Sequence, residues 1–127
     1  MTEDELEDEL INDLRNAGIW IKRNDTLDIK ATINVNKGIG AYNGQKATPF
    51  TLAHEYYHKM NNDCKRKSEY DARNPAESIA DRQAVNMLWK IFEDYGGSEE
   101  YLTTFLRLSG VPYGLFESIY QNGRLDI

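Results

Sequence analysis

The spacing of apolar residues is not uniform along this chain of 127 residues, and its changes limit the folds available to it. In one stretch of the first half every second residue is apolar, namely Leu27, Ile29, Ala31, Ile33 and Val35. This alternation predicts a strand with one face on a core and one face in water. From residue 50 onwards, apolar residues instead recur every three or four positions, as in amphipathic helices. We therefore predict an α+β protein in which a small sheet precedes several helices.

Residues 1–18 are predicted to form an acidic helix, spanning about 3–16. Thr2 and Glu5 have the spacing of a capping box, and Gly18 supplies a natural end. The segment holds seven acidic side chains and one basic one, and so accounts for the whole net charge of −6. Two interpretations of this charge stay open: a solvated helix face, or a surface that docks a basic partner.

Residues 19–47 are predicted to form a small antiparallel sheet of about three strands. A short stretch at 19–21 has the composition of a buried strand, and the alternating strand follows it. Turn residues after the alternating strand then lead to a third short strand at 39–42. The sheet is expected to end before the first helical spacing begins.

Residues 48–92 are predicted to hold two helices separated by a polar loop at 62–74. Thr48 and Pro49 are a cap and a first helical residue, and Pro75 begins the second helix. Residues 98–122 are predicted to hold two further helices. The motif helix that begins at Thr48 is therefore followed by three more.

Composition limits the class of protein. The length fits one domain over 1–127, and no apolar run approaches the roughly 20 residues that span a bilayer. A pI near 4.9 argues against direct nucleic-acid binding. The acidic start differs from a secretory signal, and the single cysteine, Cys64, favours a reducing compartment. We expect a cytoplasmic protein with no membrane partner, and its oligomeric state stays open.

The two histidines of the chain fall in the pattern His54-Glu55-Tyr-Tyr-His58. On a helix, positions i and i+4 point the same way, so both imidazoles can reach one zinc ion at about 2.0–2.1 Å. Glu55 lies at the rim of that face, where it can take the proton of a water activated by the metal. The alternative is a pair of histidines that are only hydrogen-bonded on a helix surface.

A zinc ion held by two histidines needs a third protein ligand, and the chain has no third histidine. The candidates are Cys64, Glu69, Asp71, Glu77 and Asp81. Glu77 is favoured because it begins the next helix, 19 positions after the motif, where that helix can pack back. Its position also fits a capping box with Asn74, so a purely structural role stays open.

Two other candidates have alternative roles. Asp81 follows Glu77 by one turn, and it can accept the second ring proton of a ligand histidine and fix its tautomer. A surface ion pair is the other interpretation of Asp81. Cys64 is more simply a partly buried thiol.

Two stretches together carry a family resemblance: Thr51-Leu-Ala-His-Glu-Tyr-Tyr-His58 and Glu77-Ser-Ile-Ala-Asp-Arg-Gln-Ala84. They resemble the ImmA/IrrE family of zinc metallo-endopeptidases, whose signature is Thr-Leu-Ala-His-Glu-x-x-His followed by Glu-x-x-Ala-(Asn/Asp)-x-x-Ala. The resemblance covers roughly residues 1–92 and implies a minimal zincin-like metallopeptidase domain. Within that region Tyr57 and Gln83 differ from the family's usual Gly and Phe.

The resemblance assigns roles to individual residues. It implies that His54, His58 and Glu77 bind Zn²⁺ and that Glu55 is the catalytic base. The second stretch is also similar to the second helix of thermolysin-like peptidases, in which the aspartate supports a zinc-binding histidine. That similarity implies an outer, supporting position for Asp81.

The family resemblance also implies a biological setting. It implies a phage or mobile-element protein in a bacterial host cell, acting on a protein substrate such as a helix-turn-helix repressor.

Tyr42, Tyr70 and Arg73 are candidate donors to the oxyanion, and the strand at 39–42 is a candidate edge for pairing with an extended substrate. Two alternatives remain: a non-catalytic, antirepressor-like binding module with the same fold, and a helical interaction protein whose motif is fortuitous.

Overall fold

The computed structural model describes residues 1–61 and 75–123, with the backbone alone for 75–77, and in these residues it shows an α+β fold. Five α-helices and three strands follow one another in the order α1 (Glu3–Asn16), β1 (Trp20–Arg23), β2 (Ala31–Asn34), β3 (Ile39–Tyr42), α2 (Pro49–Met60), α3 (Pro75–Asp94), α4 (Leu102–Ser109) and α5 (Tyr113–Gln121). A short 3₁₀ turn, Glu99–Tyr101, leads into α4. The predicted fold class and the order of helices and strands are confirmed at this level.

Side-chain caps begin the two N-terminal helices as predicted. Thr2 accepts from the backbone of Glu5, whose side chain bonds back to Thr2, and α1 buries three leucines along one face. Thr48 caps α2 in the same way with Thr51, and Pro49 occupies the first helical position. The structure confirms both predicted helix starts. Each could be predicted because it depends only on residues within one helical turn.

The acidic charge of α1 is only partly a solvated face. Glu7 accepts a hydrogen bond from the Tyr42 hydroxyl at the end of β3. Glu9 accepts one from the Tyr95 hydroxyl just after α3, at 2.8 Å. Two carboxylates therefore attach α1 to the sheet and to the end of α3.

The sheet is mixed, not antiparallel. Its strand order is β1-β3-β2, with β3 parallel to β1 and antiparallel to β2. The antiparallel prediction is therefore wrong for one of the two pairings. A long connection between β1 and β2 lets β3 insert between them, and no local pattern records that placement.

The alternating run forms a strand over only part of its length. β2 covers Ala31–Asn34, whereas Ile29 is 53% exposed. The buried Asn43 side chain donates to the carbonyls of Asp25 and Leu27, at 3.1 and 2.9 Å, and thereby holds the preceding segment as a loop. A contact from beyond β3 thus overrides the period-two pattern.

β1 is buried on one side only. Ile19 and Ile21 lie in the core, but Trp20 between them is 66% exposed, so the predicted fully buried strand is wrong at that residue. The Arg15 guanidinium lies over the Trp20 ring, 5.5 Å from its centroid. Such cation–π contacts are favourable even at exposed sites.

The core between the C-terminal helices contains a cluster of aromatic rings centred on Trp89 of α3. Trp89 and Phe105 of α4 are fully buried and meet edge to face, with centroids 5.0 Å apart. Phe92 and Phe116 pack on the same indole at 5.6 and 6.2 Å. This aromatic cluster joins α3, α4 and α5. Among the described residues, no helix combines the length and the apolar character needed to cross a membrane.

Candidate metal centre

α2 brings the two histidines together on one face. The Nε2 atoms of His54 and His58 are 3.0 Å apart, and their rings meet edge to face. Two ligands of a tetrahedral zinc ion at about 2.0–2.1 Å lie roughly 3.3 Å from each other. The observed separation is close to that value, so the pair can serve as two adjacent ligands of one ion.

The histidine pair is largely enclosed. His58 is 1% exposed, and the side chain of His54 is 15% exposed. Phe50 stacks on His54 from one turn earlier, with an interplanar angle of 22°. The pair is therefore not a surface pair, and the stacked ring restricts the orientation of the His54 imidazole.

Asp81 of α3 contributes a buried carboxylate to the same place. Its Oδ1 lies 3.0 Å from Nε2 of His54, and the residue is 2% exposed, which excludes the surface ion pair. We expected this carboxylate on the ring nitrogen that does not face the metal. It lies instead on the nitrogen that also faces His58.

This arrangement favours a cation. A neutral imidazole nitrogen carries either a proton or a lone pair, so Nε2 of His54 cannot give a separate, linear bond to both neighbours. The carboxylate of Asp81 adds negative charge within a buried site, where charges are weakly screened. The negative charge of Asp81 therefore favours a cation bound at the histidine pair.

Glu55 lies beside the pair, one residue after His54. Its side chain is 15% exposed, and its Oε1 lies 3.8 Å from the Lys59 ammonium one turn further along α2. The Glu55 carboxylate is therefore partly open to solvent, and the positive charge near it is that of Lys59. That position suits a group that exchanges protons with a water in the site.

α2 is attached to α3 beyond the histidines. The Asn61 side-chain amide donates to the Gln83 side-chain carbonyl at 2.6 Å. Gln83 is one of the positions that differ from the family pattern, and this bond gives it a structural role. The bond joins the end of the motif helix to the helix that carries Asp81.

A cleft of about 450 Å³ opens from the histidine side of the site. His54 and Asp81 line it, together with Phe50 and Thr51 of α2. The rest of the lining comes from Lys30 before β2 and from Pro112 and Leu115 at α5. The sequence analysis missed this cleft, because apolar spacing in α5 predicts core packing and gives no sign of an open wall.

The side chains of the remaining ligand candidates lie outside the described residues. Glu77 belongs to α3 by its backbone, but its side chain lies outside the described residues, as do Cys64, Glu69 and Asp71. Within the described part of the chain, no group of three or more His, Cys, Asp or Glu side chains has an arrangement that could hold a metal ion. The described ligand pair is therefore His54 and His58.

Two further expectations about the site are corrected. Tyr42 is no donor for an oxyanion, since its hydroxyl proton is donated to Glu7. Burial, and next the Glu7 bond, raise the pKa of Tyr42. The strand at 39–42 is β3, which is paired on both sides and cannot accept a further strand. Tyr70 and Arg73, the other oxyanion candidates, lie outside the described residues.

Comparison of the chain with protein-family models, with curated proteins and with solved structures finds no match.

Proposed function

We propose that this chain is a zinc-dependent endopeptidase with a zincin-like fold. The observation that carries the proposal is the 3.0 Å separation of the two Nε2 atoms of His54 and His58. Glu55 is the next residue along α2 after His54. The family resemblance supplies Glu77 as the third ligand.

The residues divide the chemistry among them. When bound, Zn²⁺ would supply a Lewis acid that polarises the peptide carbonyl and lowers the pKa of a water. Glu55 takes a proton from the attacking water and later delivers it to the leaving amine. Asp81 holds His54 in place and adds negative charge that favours cation binding. Phe50 excludes water from one face of the His54 ring.

The substrate follows from the resemblance. We propose an intracellular regulatory protein, such as a helix-turn-helix repressor of a phage or mobile element, cleaved in the cytoplasm of a bacterial host. The net charge of the chain is −6, which would repel the negatively charged backbone of nucleic acid. The repressor encoded beside such a gene is the first substrate to test.

Metal analysis and one conservative substitution test the proposal. We expect the purified wild-type protein to hold one zinc per chain, and His54→Ala and His58→Ala to lose it. Glu55→Gln should keep the metal and lose roughly 10²–10⁴-fold in cleavage rate, which is the usual contribution of a general base. Cleavage is measured by mass spectrometry on a peptide library from a digested bacterial proteome.

A matched control separates the base from the loss of a charge. Glu93 is an exposed glutamate of α3, so Glu93→Gln should leave both zinc content and cleavage unchanged. Absence of stoichiometric zinc in the wild type would refute the proposal. If Glu55→Gln instead retains full effect on a repressor, the chain acts by binding alone.

A further inference from the structure

β1 forms one edge of the sheet, because the strand order is β1-β3-β2. The backbone N–H groups of Trp20 and Asn24 bond to carbonyls at the two ends of β3, at 2.8 Å each. Residues of a paired strand face the partner alternately, so Ile21 and Arg23 direct their N–H and C=O groups away from β3. In the part of the chain that the structure describes, no protein group bonds to these outward groups. The β1 edge can therefore accept a further strand.

The outer face of the sheet beside this edge is apolar and basic. Trp20 and Ile39 are neighbours in the parallel register, and they are 66% and 53% exposed. Lys22 lies two residues after Trp20 and so shares its face, and the Arg15 guanidinium lies over the Trp20 ring. Neither Lys22 nor Arg15 forms an ion pair with any described residue. Both positive charges are therefore available to a partner.

The charges at the edge select among the strands that could pair with it. Pairing with β1 of a second copy would bring Lys22 and Arg15 of both chains together, and like charges on paired strands are unfavourable. An extended segment with carboxylates on alternate residues would instead place one carboxylate opposite Lys22. Because alternate residues of a strand share a face, a second carboxylate would lie beside Trp20, where the Arg15 guanidinium is. The edge therefore fits an acidic strand better than a copy of itself.

An exposed tryptophan beside cations is also found in sites for single-stranded nucleic acid. Two features of this surface favour a peptide. The outward backbone groups of Ile21 and Arg23 match the backbone of a peptide strand and have no counterpart in the stacking of bases. The chain as a whole also carries a charge of −6, which opposes a long polyanion more than a short acidic segment.

We propose that β1 docks an extended, acidic segment of a partner protein, which adds to the sheet as a fourth strand. The backbone of the segment bonds to Ile21 and Arg23, and its carboxylates meet Lys22 and Arg15. The β1 edge lies across the sheet from β2, the strand that follows Lys30 of the cleft. The docking surface is therefore separate from the candidate metal centre, and the proposal does not depend on the chemistry there.

A synthetic peptide tests the docking surface on the wild-type chain. The probe is N-acetyl-Glu-Val-Glu-Val-Glu-Val-Glu-amide, whose carboxylates share one face when it is extended. We expect it to shift the amide resonances of β1 saturably and to protect the amides of Ile21 and Arg23 from hydrogen exchange. It should also reduce acrylamide quenching of Trp20, since the other tryptophan, Trp89, is fully buried.

Two control peptides separate charge from backbone pairing. The first has lysine in place of each glutamate. The second has proline in place of each valine, which keeps the charge and removes three backbone N–H groups. Neither should bind as the glutamate peptide does. Because these comparisons use the wild-type chain, they do not depend on the folding of any variant.

Variants test the same two contributions from the protein side. Lys22→Glu should weaken binding of the glutamate peptide at least about 5-fold, whereas Lys90→Glu, on an exposed position of α3 outside the sheet, should not. Arg23→Pro removes one outward N–H, which an edge strand tolerates, and Arg23→Ala removes the same side chain but keeps that N–H. Arg23→Pro should bind about 2–10-fold more weakly than Arg23→Ala, as expected for one backbone hydrogen bond.

Several results would overturn the proposal. These are the absence of any shift in β1 at millimolar peptide, and binding of either control peptide equal to that of the glutamate peptide. A dimer that forms in wild type and is lost in Arg23→Pro would assign the edge to a second copy instead. A Trp20 response to oligothymidylate without one to the glutamate peptide would assign the face to single-stranded DNA.

Discussion

Gly110 ends α4 directly against the residue that begins the motif helix. Its φ is +77°, and a Cβ at this position would lie 2.4 Å from the Cβ of Thr48. Thr48 is the side-chain cap of α2, the helix that carries both histidines. A methyl group at residue 110 therefore has to move either the end of α4 or the start of the motif helix.

We expect Gly110→Ala to lower the free energy of unfolding by about 1.5–4 kcal/mol. A left-handed backbone costs an alanine about 1–2 kcal/mol. Displacement of the Thr48 cap adds about 0.5–2 kcal/mol. Gly96 provides the matched control, because its φ is +87° and a Cβ there meets no heavy atom within 4 Å. Gly96→Ala should therefore carry the backbone cost alone.

Urea denaturation of both variants measures the difference, and NMR shows where it arises. The chain has two histidines, so the ring protons of His54 and His58 give two resolvable sets of signals. Both sets should shift in Gly110→Ala and stay in place in Gly96→Ala. Equal destabilisation of the two variants would refute the argument, since it would show that Thr48 yields at no cost.

Three further changes test other parts of the structure. Asp81→Asn should weaken zinc binding by roughly 10–100-fold in a chelator competition, because it removes a buried negative charge 3.0 Å from Nε2 of His54. Asn43→Ala should cost about 1–3 kcal/mol in urea denaturation, because it removes the two hydrogen bonds that this buried side chain donates to the carbonyls of Asp25 and Leu27. Since burial and Glu7 raise the pKa of Tyr42, its contribution to stability is complete below about pH 10 and declines as the pH rises further. Tyr42→Phe should therefore flatten the alkaline decline of the unfolding free energy, and the exposed Tyr113→Phe should not.

Each of these predictions has a result that contradicts it. Zinc affinity unchanged in Asp81→Asn would show that the carboxylate does not act on the ion. A stability loss below 0.5 kcal/mol in Asn43→Ala would mean that water replaces its hydrogen bonds, and surface substitutions usually lie within about that limit. An alkaline decline equally steep in wild type and Tyr42→Phe would assign that decline to other tyrosines.

Local chemistry made the helices predictable from sequence. Thr2 and Thr48 begin their helices through bonds within one turn, so no distant residue decides the outcome. The sheet depended on distant contacts instead. Asn43 holds a segment some 16–18 residues earlier as a loop, and β3 inserts between two strands that precede it. Neither event leaves a signal in the spacing of apolar residues.

The candidate site shows the same division. His54 and His58 could be paired from their spacing, because one helix positions both. The contact between His54 and Asp81 joins two helices, and the nitrogen that it uses depends on how those helices pack. The cleft was unpredictable for a further reason: Leu115 has the spacing of a core residue, and only the assembled structure shows that it borders open space.

The aromatic cluster has an evolutionary consequence. Trp89 follows Asp81 by eight residues on α3, about 12 Å along the helix, and it also supports α5 through Phe116. A substitution among these buried rings would change how α5 packs on α3 without replacing His54, His58 or Glu55. In a lineage of such chains, variation in this core would therefore be expected to diversify the choice of ligand without interrupting the chemistry. The most informative differences between close relatives would then lie in residues that never contact what they select.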